Sequence, residues 1–252
     1  MPRLGLLGCG NIGGIIARHE PAFDFVAVYD REEDRARRLA SRLDATACAS
    51  IEDFLAHDFD IVVEAASVEA LRSHGEAILE AGKDLVALSV GALAETEFRQ
   101  RLTTLARQRG RRIRIPSGAL FGLDNLKIGR ISRLDELLLR TTKSPKSLNL
   151  EATERRLLFR GTASDCIRDY PKNVNVAVAL SLAADREATV ELWVDPETDR
   201  NTHEVLVRGE FGDAELRVAN LPCPDNPATS YLAALSVLSL LTDLDTPLVV
   251  GT

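Results

Sequence analysis

The sequence predicts an α/β fold, a doubly wound parallel sheet interrupted by an α+β domain with a mostly antiparallel sheet. Three observations carry that prediction. Over residues 1–130 short continuous apolar runs alternate with amphipathic stretches, the pattern of βα units stacked into one parallel sheet. Beyond about Ile131 the apolar period falls to two, as half-buried antiparallel strands require. A glycine triplet joins the first apolar run to the first amphipathic stretch.

Taken in order, Leu4–Leu7, Phe25–Tyr29, Ile61–Ala65, Leu85–Leu88 and Ile113–Ile115 read as strands buried on both faces. Asn11–His19, Glu32–Leu43, Ile51–Leu55, Val68–Ala81 and Glu95–Arg109 read as the intervening helices, several preceded by serine or followed by glycine. In the second half Ala188, Val190, Leu192 and Val194 alternate with polar neighbours, as do Ala214, Leu216 and Val218. Glu136–Thr142, Arg156–Phe159 and Glu204–Arg208 complete that sheet, and Pro171–Ala184 reads as a helix. After a proline-rich joint, a final helix is expected from about Pro227 to Leu241, capped by Asn226, returning to pack on the first domain. The expected domains are therefore 1–130 plus 222–252 and an inserted 131–221.

The chain has 252 residues, roughly 1.7 domains at ~150 residues each. Apolar residues make up 45% and charged residues 27%, which excludes disordered and collagen-like classes. With 31 basic and 38 acidic residues the formal charge is -7, so nucleic acid and anionic membranes are poor partners and small molecules better ones. The basic run between Arg99 and Arg114 has helical spacing and reads as a solvated face. Cys9, Cys48, Cys166 and Cys223 lie far apart, which suggests neither a zinc site nor a disulfide framework, and reduced thiols fit a cytoplasmic location. No charged segment or cleavage site frames Leu4–Ala17 as a signal, and no apolar run is long enough to span a membrane.

Gly8, Gly10 and Gly13 form G-x-G-x-x-G directly between the first strand and first helix. The first glycine permits the tight turn, the second lets a pyrophosphate approach the backbone near Asn11 and Ile12, and the third lets helix and strand pack closely. Asp30 ends the second strand twenty residues after Gly10, placed to accept hydrogen bonds from an adenosine ribose. This is the fingerprint of a Rossmann-type domain, and NAD or NADP is the expected cofactor. Asp30 favours NAD, whereas Arg31 offers a partner to the phosphate of NADP. Ala66 and Ser67 after the third apolar strand, and Ser89–Gly91 after the fourth, should face the cleft at the strand ends.

Among four histidines, His19 suits a helix end, and His57 and His74 fall on outer helices as surface residues. His203 begins a strand in Asp199-Arg200-Asn201-Thr202-His203-Glu204, where it is either an exposed strand-start residue or an acid/base facing the nucleotide domain. Lys172 and Asn173 sit at a helix start, as caps or as ligands to nicotinamide or substrate. Substrate carboxylates need cations or N–H groups, for which Lys143, Lys172 and Ser117 are candidates. No metal-binding motif, P-loop or nucleophile elbow is present, so no metal is expected.

The blocks Gly8-Cys9-Gly10-Asn11-Ile12-Gly13, Pro116-Ser117-Gly118-Ala119-Leu120-Phe121-Gly122-Leu123-Asp124, Pro171-Lys172-Asn173-Val174-Asn175-Val176-Ala177, Asn201-Thr202-His203-Glu204 and Asn226-Pro227-Ala228-Thr229-Ser230 together resemble the L-aspartate dehydrogenase family. The resemblance covers nearly the whole chain. It departs at Thr142-Lys143-Ser144-Pro145, where family members often show a basic residue followed by two prolines. The resemblance implies a homodimeric NAD- or NADP-dependent enzyme with His203 as acid/base and Ala119 and Asn173 at the nicotinamide end; Asn201, in the same block as His203, is a further candidate for binding substrate. The implied reaction is oxidative deamination of L-aspartate to iminoaspartate, then oxaloacetate and ammonia, or its reverse, with the imine available for NAD biosynthesis. The competing readings are another two-domain oxidoreductase, of homoserine dehydrogenase or dihydrodipicolinate reductase type, and a nucleotide sensor without turnover. The Pro-Lys-Asn-Val-Asn and Asn-Thr-His blocks speak against the first, and His203 against the second.

Overall fold

A computed structural model describes residues 2–19, 23–170, 175–223 and 226–251. The chain forms two compact units, Met1–Pro116 with Ala234–Leu248, and Ser117–Ala233 with Val249–Thr252.

The first unit is built on six parallel strands, β1 (Arg3–Leu7), β2 (Asp24–Tyr29), β3 (Thr46–Ala47), β4 (Ile61–Glu64), β5 (Asp84–Ala87) and β6 (Ile113–Arg114), in the order β3-β2-β1-β4-β5-β6. The order reverses between β1 and β4, the point where such sheets bind ligands beyond their strand ends. The helices are α1 (Asn11–Ala17), α2 (Glu33–Leu43), α3 (Ile51–Ala56), α4 (Val68–Glu80) and α5 (Thr96–Arg109). In α2 the residues Ala36, Leu39, Ala40 and Leu43 recur at helical spacing and are buried, while Glu33 and Asp34 favour its N-terminal turn. On α5 the basic face is solvated, with Arg101 paired to Glu76. The last helix, α9 (Tyr231–Asp243), inserts Val237, Leu238 and Leu241 into the core formed by Leu4, Leu6, Leu39, Val63 and Val86. The expected return of the final helix is therefore observed.

Its start is not. Asn226–Ser230 forms a strand, β13, paired with β12 (Pro222–Cys223), and the helix begins only at Tyr231. A short two-stranded ribbon tolerates Pro227, which lacks an N–H, so the Asn-Pro pair here is not a helix cap.

The second unit holds β7 (Leu134–Lys143), β8 (Arg156–Thr162), β9 (Thr189–Val194), β10 (Asn201–Gly209) and β11 (Gly212–Asn220) in the order β11-β10-β7-β9-β8. All neighbours are antiparallel except β7 and β9. Short helices α6 (Pro145–Leu148) and α7 (Ala163–Asp169) and the longer α8 (Asn175–Ala184) accompany the sheet. Along β10, Asn201, His203, Val205 and Val207 point into the buried side, as period two requires. The other side is polar, with Arg140 Nε donating to Glu191 at 2.8 Å and Trp193 Nε1 to the same carboxylate at 3.0 Å. Among the described residues no helix is long and apolar enough to cross a membrane.

Candidate functional site

In the first unit a cavity of about 330 Å³ lies at the carboxyl ends of β1, β2 and β4. Its lining includes Gly8, Gly10, Asp30, Arg35, Ala66 and Ser67. The three glycines of the fingerprint have separate physical roles. Gly8 adopts a φ of +101°, and a Cβ there would stand 2.7 Å from backbone atoms of Ala65 and Ala66. A Cβ on Gly13 would collide with the Gly8 carbonyl, so the helix packs directly on the turn. At Gly10 nothing lies within 4 Å of that position, leaving room for a ligand to approach the backbone.

Asp30 braces this turn. Its carboxylate accepts the Cys9 N–H at 2.7 Å and the Glu32 N–H at 2.8 Å. Beside it, burial and the Asp30 charge push the Cys9 thiol up to about 12, so the cysteine stays neutral. Asn11 follows Gly10 at the start of α1, and both polar atoms of its side chain are buried without a hydrogen-bond partner. Buried amides are normally satisfied, so a polar ligand at the turn would complete this one. The cradle open at Gly10, the acid at the end of β2 and this amide fit a dinucleotide. Ser67 also caps α4 by accepting the Ala70 N–H at 3.1 Å. His74, expected on the surface, instead lines the cavity and meets the Tyr29 ring edge-on at 6.3 Å. The expectation failed because α4 begins at the rim, so its second turn still faces the cavity.

In the second unit β10 places His203 opposite Thr141 of β7, and Lys143 lies two residues further along the same face. His203 is 3% exposed and its Nδ1 lies 2.9 Å from Thr141 Oγ1. The alternative of an exposed strand-start residue is thereby excluded. Burial, with the nearby Lys143 charge adding to it, pushes the imidazole down to about 3. Lys143 is 6% exposed, and burial pushes its ammonium down to about 8. Asn201, two residues before His203, pairs across to Asn220 of β11, and Asn220 Nδ2 donates to the Ala119 carbonyl at 2.9 Å. One end of this sheet thus gathers Ala119, Asn201, His203 and Lys143. Ser117 belongs to the turn whose carbonyl accepts the Leu120 N–H at 3.2 Å. Lys172 and Asn173 lie outside the described residues.

Thr141 and Asn220 carry no signal in the sequence, because only strand register brings them opposite His203 and Asn201. Cys48, Asp53 and His57 bring ligand-type atoms within 4.8 Å of one another, but Asp53 there accepts the Ala49 N–H at the start of α3.

A sheet of this order, with a dinucleotide cradle and an added α+β unit bearing a buried imidazole and ammonium, defines a nicotinamide-dependent oxidoreductase. Residues 8–116 match the homoserine dehydrogenase NAD-binding domain family, and residues 124–244 match the aspartate dehydrogenase C-terminal family. The chain is 58% identical to an L-aspartate dehydrogenase of Methanospirillum hungatei over 251 residues, covering 100% of both, and 44% identical to that of Methanothermobacter thermautotrophicus over 99% of this chain and 98% of the relative. It belongs to the L-aspartate dehydrogenase family. The crystal structure of the Thermotoga maritima aspartate dehydrogenase superposes with a TM-score of 0.83 at 26% identity, covering 100% of both chains.

Proposed function

We propose that the protein oxidises L-aspartate with NAD or NADP to iminoaspartate, which water converts to oxaloacetate and ammonia, or runs the reverse reductive amination. The observation that carries this reading is the buried pair of Lys143 and His203 on one sheet face. Burying a cation beside an imidazole costs stability, and a nucleotide sensor without turnover has no use for it. An anionic substrate does.

Bound NAD or NADP supplies the hydride acceptor. Gly8, Gly10, Asn11 and Ile12 hold its pyrophosphate, Asp30 its adenosine ribose, Ala66 and Ser67 the wall beside them, and Ala119 and Asn173 its nicotinamide end. Lys143 pairs with a substrate carboxylate, with Ser117, Lys172 and Asn201 as further polar contacts. Docking that carboxylate offsets the Lys143 charge, which otherwise helps hold His203 neutral and weakly basic. The imidazole therefore gains basicity when substrate arrives. His203 then takes the proton of the α-ammonium group, and the freed nitrogen lone pair forms the C=N bond as hydride leaves the α-carbon. Later His203 relays a proton for the water that adds to the imine. The Thr141 hydroxyl anchors the other side of the ring throughout.

Asp30 uses both oxygens on backbone N–H groups, and Arg31 and Arg35 line the same cavity, which supports use of either coenzyme. Unchanged relative use of the two by Asp30→Ala would reject a discriminating role for that carboxylate. The first unit serves as the nucleotide domain and the second as the catalytic and dimerisation domain of a cytoplasmic homodimer, with the imine available for NAD biosynthesis. The central test follows reduced-coenzyme absorbance with L-aspartate and either NAD or NADP, with other amino acids as controls. Absence of aspartate-dependent reduction with both coenzymes, also at alkaline pH, overturns the reading.

A further inference from the structure

Glu64 closes β4 and is 0% exposed, yet it faces donors rather than a cation. Its Oε1 accepts the Ala66 N–H at 2.9 Å and the Ser89 hydroxyl at 2.7 Å, and its Oε2 accepts the Ser89 N–H at 2.9 Å. Burial raises the affinity of this carboxyl for its proton, and the donors from Ser89, Ala66 and Leu88 oppose that. Ala66 belongs to the turn after β4 and Ser89 to the turn after β5, so one side chain ties two neighbouring strand ends together.

The tie bears on the dinucleotide cavity. Ala65, Ala66 and Ser67 form one wall of that cavity, beside Gly8 and Gly10 of the glycine turn. The Ala66 backbone lies against Gly8 so closely that a Cβ on Gly8 would stand 2.7 Å from it. The Ala66 peptide is therefore held between the glycine turn on one side and the Glu64 carboxylate on the other. We propose that Glu64 is a positioning residue for dinucleotide binding, setting the separation between the Ala65–Ser67 wall and the glycine turn by anchoring that wall to Ser89. This rests on the dinucleotide reading of the cavity.

Glutamate suits the task because each of its oxygens accepts one N–H, Oε1 from Ala66 and Oε2 from Ser89. Glutamine has the same shape but one accepting oxygen, so its NH₂ would face either the Ser89 N–H or the Ala66 N–H, donor against donor. The turn must shift to relieve that opposition. The expected result for Glu64→Gln is a Kd for NADH about tenfold weaker, ~1.4 kcal/mol, measured by titration calorimetry without substrate and well below the melting temperature. Because the effect is one of position, NAD+ should weaken by the same factor. Ser89→Ala, which removes only the hydroxyl donor, should weaken both forms by about threefold, a smaller effect because both N–H donors remain. It serves if Glu64→Gln folds poorly. Wild-type affinity in the Ser89→Ala and folded Glu64→Gln proteins would overturn the proposal, as would a loss confined to NAD+, which would report charge rather than position. No binding of either form by the wild-type protein would instead remove the dinucleotide reading on which the proposal rests.

Discussion

Replacing His203 by glutamine isolates one buried imidazole by its effect on acid stability. In the folded chain burial and the Lys143 charge hold the group down to about 3, whereas an unfolded histidine titrates near ~6.5. A folded value below the unfolded one means stability is fully present above the unfolded value and is lost as pH falls toward the folded one. Between pH 7 and pH 5 the unfolded imidazole gains its proton and the folded one does not. That difference removes ~2 kcal/mol of stability, and because the window lies well above the folded value, the unfolded titration alone sets the slope. Glutamine can still hydrogen-bond Thr141 but does not titrate. Urea unfolding of both proteins at pH 7 and pH 5 gives the comparison, since the carboxylates are common to both. Wild type should lose ~2 kcal/mol more than His203→Gln. Equal losses would refute the claim that His203 is kept neutral in the fold.

Lys143→Ala should raise KM for aspartate at least tenfold while the dinucleotide Kd stays unchanged, because the proposed role of this cation is to pair with a substrate carboxylate and not with the dinucleotide; steady-state kinetics with coenzyme titration checks this. Because burial pushes the Lys143 ammonium down to about 8, substrate affinity should also fall as pH rises through that value, and a flat KM profile from pH 7 to 9 would contradict the assignment. Gly8→Ala forces a side chain onto a φ of +101° against the Ala65–Ala66 backbone, so it should lower stability by more than ~1 kcal/mol and weaken NADH binding, read by urea unfolding and calorimetry. Leu241→Ala empties part of the core shared by α9 and β1, with an expected loss of ~3 kcal/mol in the unfolding of the first unit.

Strands β1, β2, β4 and β5 are legible because strands buried on both faces leave continuous apolar runs, and the two-residue β6 because isoleucines stand at 113 and 115, whereas β3, Thr46–Ala47, lies in no apolar run. The period-two strands of the second unit were equally readable, but the parallel pairing of β7 with β9 was not, since alternation carries no direction. Helix α7 is not among the expected helices, although Thr162 and Asp165 form a capping box, a local signal in the sequence. At the site, the glycines and Asp30 are legible because nearby chain geometry demands them. Glu64 is not, because its meaning comes from Ser89, which lies 25 residues away. His203 was visible as a residue and its burial was not, since burial depends on what covers the sheet.

The packing of α9 into the first unit also orders events on the ribosome. Val237, Leu238 and Leu241 complete a core whose other members, such as Leu4, Leu6 and Val63, are made before any of the second unit. About 115 residues separate Pro116 from that helix, which at ordinary synthesis rates is roughly 6–23 s during which the nucleotide unit has an open apolar seam. The intervening unit can form as a local cluster in that interval. The earlier one must wait, partly folded, for its last helix, which makes the nascent chain rather than the finished protein the stage most exposed to aggregation and chaperone capture.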